Sequence, residues 1–465
     1  MKNTYFDLVD QSFDFPTATL SLRDKRLHFH GIDLAELLDT YGSPLKLFYL
    51  PSIRAKIEEA RGLFRSALSR LKYSGAYHYA YCTKASQFQF VMREVLAAGA
   101  KLETSSAYDI DLIRRLHANG RLSKELLLIH NGFKPTRYAE GILALHADGF
   151  NTLPIIDNPA ELAFYRERLP GGARMQIGIR LATEEEPKFE FYTSRLGVRA
   201  RDITSLYTQA IADDPRLELR MLHFFVDTGI QDTSYYWNEL RKGVRAYALL
   251  RKRCPSLTAL NIGGGLPIPT GLGDSYDYPY LIQEVVRQVK DTCRREGVPE
   301  PDLYSEFGKY TVGEGGATLF EVIGQKQQND SELWYMVDNS LMTALPDTWG
   351  LGERFVLLPI EHWEGEPVRV NLGGLTCDNS DFYNAESHGG QVYLPRFNAA
   401  KHRLRLGFFH TGAYQDALGG YGGVRHCLIP AMRRVLVDRE ADGTLRHWLD
   451  APEQSADQML GHLGY

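Results

Sequence analysis

Lys84 stands in Tyr-Cys-Thr-Lys-Ala-Ser, residues 81–86, after an aromatic-rich run, Gly75–Tyr81. It precedes a segment, Gln87–Ala98, whose Phe88, Val91, Met92 and Val95 recur at helical spacing until Gly99. That pattern sets one amine at the carboxyl end of a strand, at the turn into a helix. In parallel α/β folds this edge is where chemistry is done. A partly desolvated lysine there stays uncharged part of the time and can attack an aldehyde. A solvated turn lysine would present the same local sequence.

Other polar or glycine-rich clusters fall at strand ends. Gly263-Gly264-Gly265 follows Leu260-Asn261-Ile262, and three glycines expose consecutive N–H groups that suit a phosphate, although a tight turn looks similar. Glu306-Phe307-Gly308-Lys309 sets a carboxylate, a glycine and a cation side by side. Such a set could serve an electron-poor ring and its phosphate, or be a surface ion pair. In His223-Phe224-Phe225-Val226-Asp227-Thr228-Gly229, Phe225 could face a planar cofactor or fill a core. Arg180 sits in an otherwise apolar strand and needs a partner, Glu103 and Glu306 being the candidates. Cys377-Asp378-Asn379-Ser380-Asp381 combines a thiol with two carboxylates, although most cysteines are small buried hydrophobes. Asp338 and Tyr414, in Gly412-Ala413-Tyr414, read singly as structural.

The elements that must carry these groups alternate regularly. Candidate strands are Ala76–Thr83, Ala100–Thr104, Leu126–Asn131, Leu153–Ile156, Gln176–Leu181, Glu218–Val226, Leu260–Ile262 and Asp302–Glu306, with helical patterns between them. Eight such strands over about 230 residues match a (β/α)₈ TIM-like barrel. A doubly wound open sheet competes, but no G-x-G-x-x-G opens the first helix. The glycine triplet and the Glu306 cluster then follow strands seven and eight, where such barrels form phosphate sites. After about residue 312 short alternating runs separated by Gly, Pro and Asn predict an antiparallel β domain. A β segment at Thr17–Leu27 has no partner in a barrel and is predicted to pair with that domain. The expected organisation is an N-terminal segment over 1–42, a barrel over 43–311 and a β domain over 312–465.

At 465 residues the chain is too long for one ordinary core. A net charge of −5 argues against an electrostatically driven nucleic-acid binder. No apolar run reaches the roughly 18 residues of a membrane span, and Met1–Asp7 lacks the apolar core of a signal peptide. The 5 cysteines are scattered without a C-x-x-C pair. They read as reduced thiols of a cytoplasmic protein, with no disulfide and no metal site.

Taken in order, these motifs resemble the pyridoxal-phosphate decarboxylases of the alanine-racemase-like barrel type, the ornithine, arginine and diaminopimelate decarboxylase superfamily. The resemblance covers roughly residues 15–440. It runs through YCTKAS for the family's Y-A-x-K-A-N, LETSS for its second-strand motif, Arg180 and HFFVDTG. It continues through IGGG, SEFGK for E-P-G-R, CDNSD for C-D-x-x-D, and GAY. It implies that Lys84 holds pyridoxal 5'-phosphate covalently through its aldehyde, with Glu306 keeping the ring nitrogen protonated. Glu103, Arg180 and Phe225 would line the cofactor. Thr228, Gly263, Gly264, Gly265, Gly308, Lys309 and Tyr414 would hold its phosphate. Cys377 would protonate the α-carbon, and Asp338, Asp378 and Asp381 would bind the substrate's distal cation. A homodimer is implied, with the Cys377 loop donated by the second subunit.

Asp378 directly after Cys377 is similar to the enzymes for simple basic amino acids rather than the C-E-S-x-D of diaminopimelate enzymes. Asn131-Gly132-Phe133-Lys134 is similar to the N-G-Y-K of biosynthetic arginine decarboxylases, and Glu103 matches their glutamate. The resemblance therefore implies arginine as substrate and agmatine as product, in polyamine biosynthesis. Ornithine, lysine, diaminopimelate or carboxynorspermidine are the alternatives within the same chemistry. A catalytically silent polyamine- or partner-binding relative is the alternative of another class. Two departures stand out: Phe225 replaces the family's ring-stacking histidine, and Lys309 replaces the arginine of E-P-G-R. The large insertion usual in biosynthetic arginine decarboxylases is also missing.

Overall fold

The computed structural model describes residues 3–184, 192–387 and 389–465. The chain divides into two compact units. One comprises Ile53–Pro267 and Asp277–Thr311; the other comprises Met1–Ser52, Ile268–Tyr276 and Val312–Tyr465.

In the first unit eight short apolar runs form a closed parallel barrel. Its strands are Tyr77–Cys82, Lys101–Thr104, Leu128–His130, Thr152–Ile156, Met175–Arg180, Leu217–His223, Ala259–Asn261 and Asp302–Glu306. The eighth strand returns to the first, from Leu303 beside Tyr77 to Glu306 beside Ala80, which disposes of the open-sheet alternative. Ala80, Ile129, Leu153, Ile155, Met221 and Ala259 fill the interior. This is a packed core rather than a pore.

Local signals fix where the outer helices begin and end. Ser106 and Asp109 form a capping box at the head of Ala107–Ala118. Asn158 caps Pro159–Arg168, which has proline at its start. Gly297, at φ +67°, ends Tyr278–Glu296. Among the described residues no helix is long and apolar enough to cross a membrane.

The second unit is a mixed sheet rather than the purely antiparallel one expected from its alternating runs. Leu45–Tyr49 pairs antiparallel with Gly316–Asn329 and parallel with Arg433–Arg439. Glu332–Val337 also runs parallel to Pro367–Gly373. All five residues of Leu45–Tyr49 are buried, and Lys46 is tolerated there because its ammonium meets Asp416 at 3.0 Å. This strand lies inside the span expected for the barrel, 43–311, although it is not among the eight barrel strands expected. It belongs instead to the β sheet, so the barrel unit begins at Ile53.

The N-terminal β segment joins this unit as expected, but not as a strand of its main sheet. Leu20–Arg23, Arg26–Phe29 and Ile32–Asp33 form a three-stranded sheet of their own. The attachment to the rest of the unit is by packing. Leu20, Leu27 and Phe29 share a core with Leu45, Leu47, Leu358 and Phe409, and the Leu27 N–H donates to the Ile360 carbonyl at 2.9 Å.

Glu386 gives this unit a pH dependence. It lines a cavity of about 320 Å³ with Tyr5, Leu8, Val9, Phe13 and Leu357. Burial pushes its carboxyl up to about 8, against the opposing pull of Arg354. The folded chain therefore keeps a proton that the unfolded chain releases at about pH 4.3, so stability falls as pH rises between these values. Glu386→Gln is expected to melt above the wild type at about pH 8 and to converge with it near pH 4 to 5. Parallel pH profiles for the two proteins would refute this.

Candidate active site

The first barrel strand delivers Lys84 on a tight turn. Thr83–Ala85 is a single turn of 3-10 helix directly after Cys82. Thr83 Oγ1 donates to Asp109 Oδ1 at 3.1 Å, and Tyr81 Oη donates to the Ser86 carbonyl at 2.9 Å. Both flanks of the lysine are thus pinned. Its Nζ donates to Glu103 Oε2 at 3.0 Å. The Glu103 side chain is fully buried while that of Lys84 is 46% exposed, so the amine has a buried counter-ion and an open approach. Burial raises the Glu103 carboxyl, although the Lys84 charge opposes it.

Glu306 closes the eighth strand inside a box of donors. Its Oε1 accepts from Asn131 Nδ2 at 2.9 Å and from Asn261 Nδ2 at 2.6 Å. Its Oε2 accepts from His223 Nε2 at 3.1 Å. Burial alone would raise this carboxyl, but His223, Lys84 and Asn131 outweigh it and hold it down to about 2. Burial pushes the His223 imidazole below its ordinary value, and its buried Nδ1 has no hydrogen-bond partner among the described residues. The carboxylate is held ionised with the His223 Nε2–H facing it, the donor being assigned from this acceptor. Oε2 retains capacity for a further donor.

The glycine triplet lies against the loop that follows the sixth strand. A Cβ on Gly265 would stand 2.5 Å from Gly229 Cα, and one on Gly264 2.7 Å from the Glu306 carbonyl oxygen. Gly263, at φ +72°, faces Phe225, whose Cδ2 would lie 3.0 Å from an added Cβ. The triplet therefore packs too closely against this loop and the eighth strand to carry side chains, and the half-buried Phe225 ring lies beside Gly263. Thr228 is on the same loop. Gly308 and Lys309 follow Glu306 at the start of a short helix, Lys309–Val312. Arg180 ends the fifth strand in register with His223, and its charge lowers both His223 and Lys134. Lys134 itself is wholly buried, with Glu161 at 2.9 Å.

The remaining site candidates lie in the second unit. Cys377 and Asp378 are exposed on one loop. Asp381 was expected to bind substrate, but it is buried and its oxygens are taken. Oδ1 accepts from the Met342 N–H at 2.9 Å, and Oδ2 from Thr376 N and Oγ1 at 3.1 and 2.8 Å. It ties the loop that presents Cys377 and Asp378. Asp338 Oδ1 accepts from the Glu321 N–H at 3.0 Å, and burial pushes its carboxyl up to about 6. Tyr414 sits at φ +66°, a strained conformation for a non-glycine residue, just before Gln415–Leu418.

Comparison with known proteins bears directly on the barrel. The profile of the family described as pyridoxal-dependent decarboxylase, pyridoxal binding domain, matches residues 54–313. The chain belongs to this family of pyridoxal-dependent decarboxylases. It is 25% identical over 399 residues to the biosynthetic arginine decarboxylase of Rhodopirellula baltica, covering 81% of this chain and 54% of that one. It thus spans about half of that relative's length. It is 24% identical over 567 residues to the biosynthetic arginine decarboxylase of Prochlorococcus marinus (strain MIT 9313), covering 93% of this chain and 86% of the other. The crystal structure of the biosynthetic arginine decarboxylase of Campylobacter jejuni has the same fold, with a TM-score of 0.79 at 19% identity over 99% of this chain and 90% of that one.

The barrel of this family member fits pyridoxal phosphate on its own observations. The glycine triplet carries no side chains that could cover its backbone, and no hydrogen bond from the Gly264 or Gly265 N–H is described, whereas the Gly263 N–H donates to Asn261 Oδ1 at 2.9 Å. The ionised Glu306 suits a protonated ring nitrogen, and the half-exposed Lys84 suits an aldehyde. Sequence reasoning quoted Asn131, His223 and Asn261 without giving them a role. Their signal was a polar residue at the end of each of three apolar strands, and only barrel closure turns all three onto one carboxylate.

Proposed function

We propose that this chain decarboxylates a basic amino acid, arginine first, releasing CO₂ and agmatine in polyamine biosynthesis. The observation that carries the chemistry is the pairing of a half-exposed Lys84 with a buried, ionised Glu306 at neighbouring strand ends. When bound, pyridoxal phosphate supplies an electron sink for the pair left behind as CO₂ departs. Lys84 holds the aldehyde end. Glu306 keeps a negative charge at the ring nitrogen, with Asn131, Asn261 and His223 fixing its orientation. Gly263, Gly264, Gly265, Thr228, Gly308, Lys309 and Tyr414 receive the phosphate. Phe225 offers a flat apolar face, and Glu103 and Arg180 complete the polar lining.

Cys377 gives a proton to the substrate's α-carbon. Its thiol is raised above the ordinary value chiefly by hydrogen bonding to Cys427, so it remains a proton donor at neutral pH. Asp378 and Asp338 receive the distal cation, where a guanidinium favours a carboxylate in bidentate contact. The exposure of Cys377 and Asp378 supports a homodimer in which a second copy of the chain supplies this loop. A cytoplasmic location is consistent with the 5 unpaired cysteines.

Arginine is favoured over the other basic amino acids by the names of the relatives above and by Glu103 and Asp378. CO₂ release across arginine, ornithine, lysine, diaminopimelate and carboxynorspermidine tests it. The highest kcat/KM is expected for arginine. Markedly faster turnover of any other member overturns the substrate, and no turnover of any with cofactor bound overturns the enzymatic reading.

A further inference from the structure

Cys427 is 50 residues from Cys377 in sequence, yet the two Sγ atoms are 3.5 Å apart. His426 joins them. One ligand atom from each of Cys377, His426 and Cys427 lies within 4.8 Å of the other two, and all three residues are exposed. No spacing motif announces this cluster, so the fold alone assembles it. It does so with Cys427 held at φ +54°, in the left-handed region that residues other than glycine seldom adopt.

We propose that Cys377, His426 and Cys427 form a zinc site, which holds back the thiol assigned above as proton donor. Two thiolates on one tetrahedral Zn²⁺, with bonds of about 2.3 Å, stand about 3.8 Å apart. A disulfide would require about 2.05 Å. The observed separation is a small adjustment from chelation and far from a covalent S–S bond. Two sulfurs and an imidazole select a soft or borderline cation over Mg²⁺ or Ca²⁺. Three protein ligands leave the fourth tetrahedral position for water. Binding converts two thiols to thiolates and releases two protons to solvent for each Zn²⁺ taken up, with no change of oxidation state. A thiolate bound to zinc has no proton to give, so an occupied site would silence Cys377 reversibly.

The inhibitory part rests on the proton-donor role proposed for Cys377; the site itself does not. The test uses chelator-treated holoenzyme titrated with Zn²⁺ and, separately, with Co²⁺. One equivalent per chain is expected, with thiolate charge-transfer bands and the visible bands of tetrahedral Co²⁺. Cys427→Ser and His426→Ala are each expected to weaken binding by at least about 100-fold, since even residues outside a ligand set are worth about 10–100-fold. His426→Ala should retain the basal decarboxylation rate and escape inhibition by Zn²⁺, whereas the wild type is inhibited and recovers with chelator. Absence of the Co²⁺ bands, or unchanged binding in both variants, overturns the site. Loss of activity that requires peroxide and reverses only with a thiol reductant overturns it in favour of a disulfide. Zn²⁺ bound at these residues with wild-type activity untouched keeps the site and overturns the proton-donor role of Cys377.

Discussion

Lys84→Ala is expected to lower decarboxylation by at least about 10³-fold, the scale on which loss of a covalent group acts. Alanine alone would not identify the cause, because it also strips Glu103 of its ammonium partner at 3.0 Å. The decisive comparison is Lys84→Arg. A guanidinium keeps the positive charge beside Glu103, and it stays protonated at every accessible pH, so it cannot attack an aldehyde. If Lys84 acts through its nitrogen lone pair, both variants lose turnover alike, while Lys84→Arg melts close to the wild type. If Lys84 is only a counter-ion, Lys84→Arg retains most activity and the proposed function fails. Borohydride reduction of the cofactor-loaded wild type gives a second readout. It should fix the cofactor to the peptide containing Lys84 and to no other lysine peptide.

How much of this was legible beforehand depends on whether a feature is local. The eight barrel strands were, because each is a short apolar run bounded by a helix of its own. Lys84 and Glu306 were too, since each is a charge at the carboxyl end of such a run. Leu45–Tyr49 was not. Five buried residues announce a strand but not which sheet it enters, and its partners Gly316–Asn329 and Arg433–Arg439 lie hundreds of residues away. The N-terminal hairpin was missed for a different reason. Its turn residues, Asp24 and Lys25, adopt φ +49° and +62°, which sequence signals usually assign to Asn-Gly or Asp-Gly. Thr17–Leu27 therefore read as one continuous segment.

The same distinction holds among the functional residues. A motif such as CDNSD announces Cys377 and Asp378, but nothing in it shows that Asp381 is consumed by Thr376 and Met342. Nor does it show that Cys427 comes within 3.5 Å of the thiol. Carboxylates in one pentapeptide look equivalent until burial separates them. Asp381 is enclosed and takes loop N–H groups, while Asp378 stays exposed, its Oδ1 accepting from Ser380 N–H at 2.7 Å.

Glu306→Gln is expected to cut turnover by roughly 10²–10³-fold, comparable with removing one preorganised electrostatic contact from an active site, while leaving the fold intact. Alanine is the wrong probe, because it would orphan the donors of Asn131, Asn261 and His223, each at about 1–3 kcal/mol. Glutamine keeps an oxygen for the two asparagines. Its new NH₂ group then meets His223 Nε2, and the imidazole can accept it by moving its proton to Nδ1, which is buried without a partner among the described residues. One tautomeric change therefore absorbs the substitution locally. What glutamine cannot restore is the negative charge that Glu306 keeps at neutral pH, with its carboxyl held down to about 2. A ring nitrogen facing an amide has no anion to keep it protonated. Turnover should fall in kcat with arginine KM nearly unchanged, and the melting temperature should move little. A variant with full turnover at an unchanged melting temperature would remove Glu306 from the chemistry. A variant that loses both turnover and fold would show that the donor box, rather than the charge, is what this carboxylate serves.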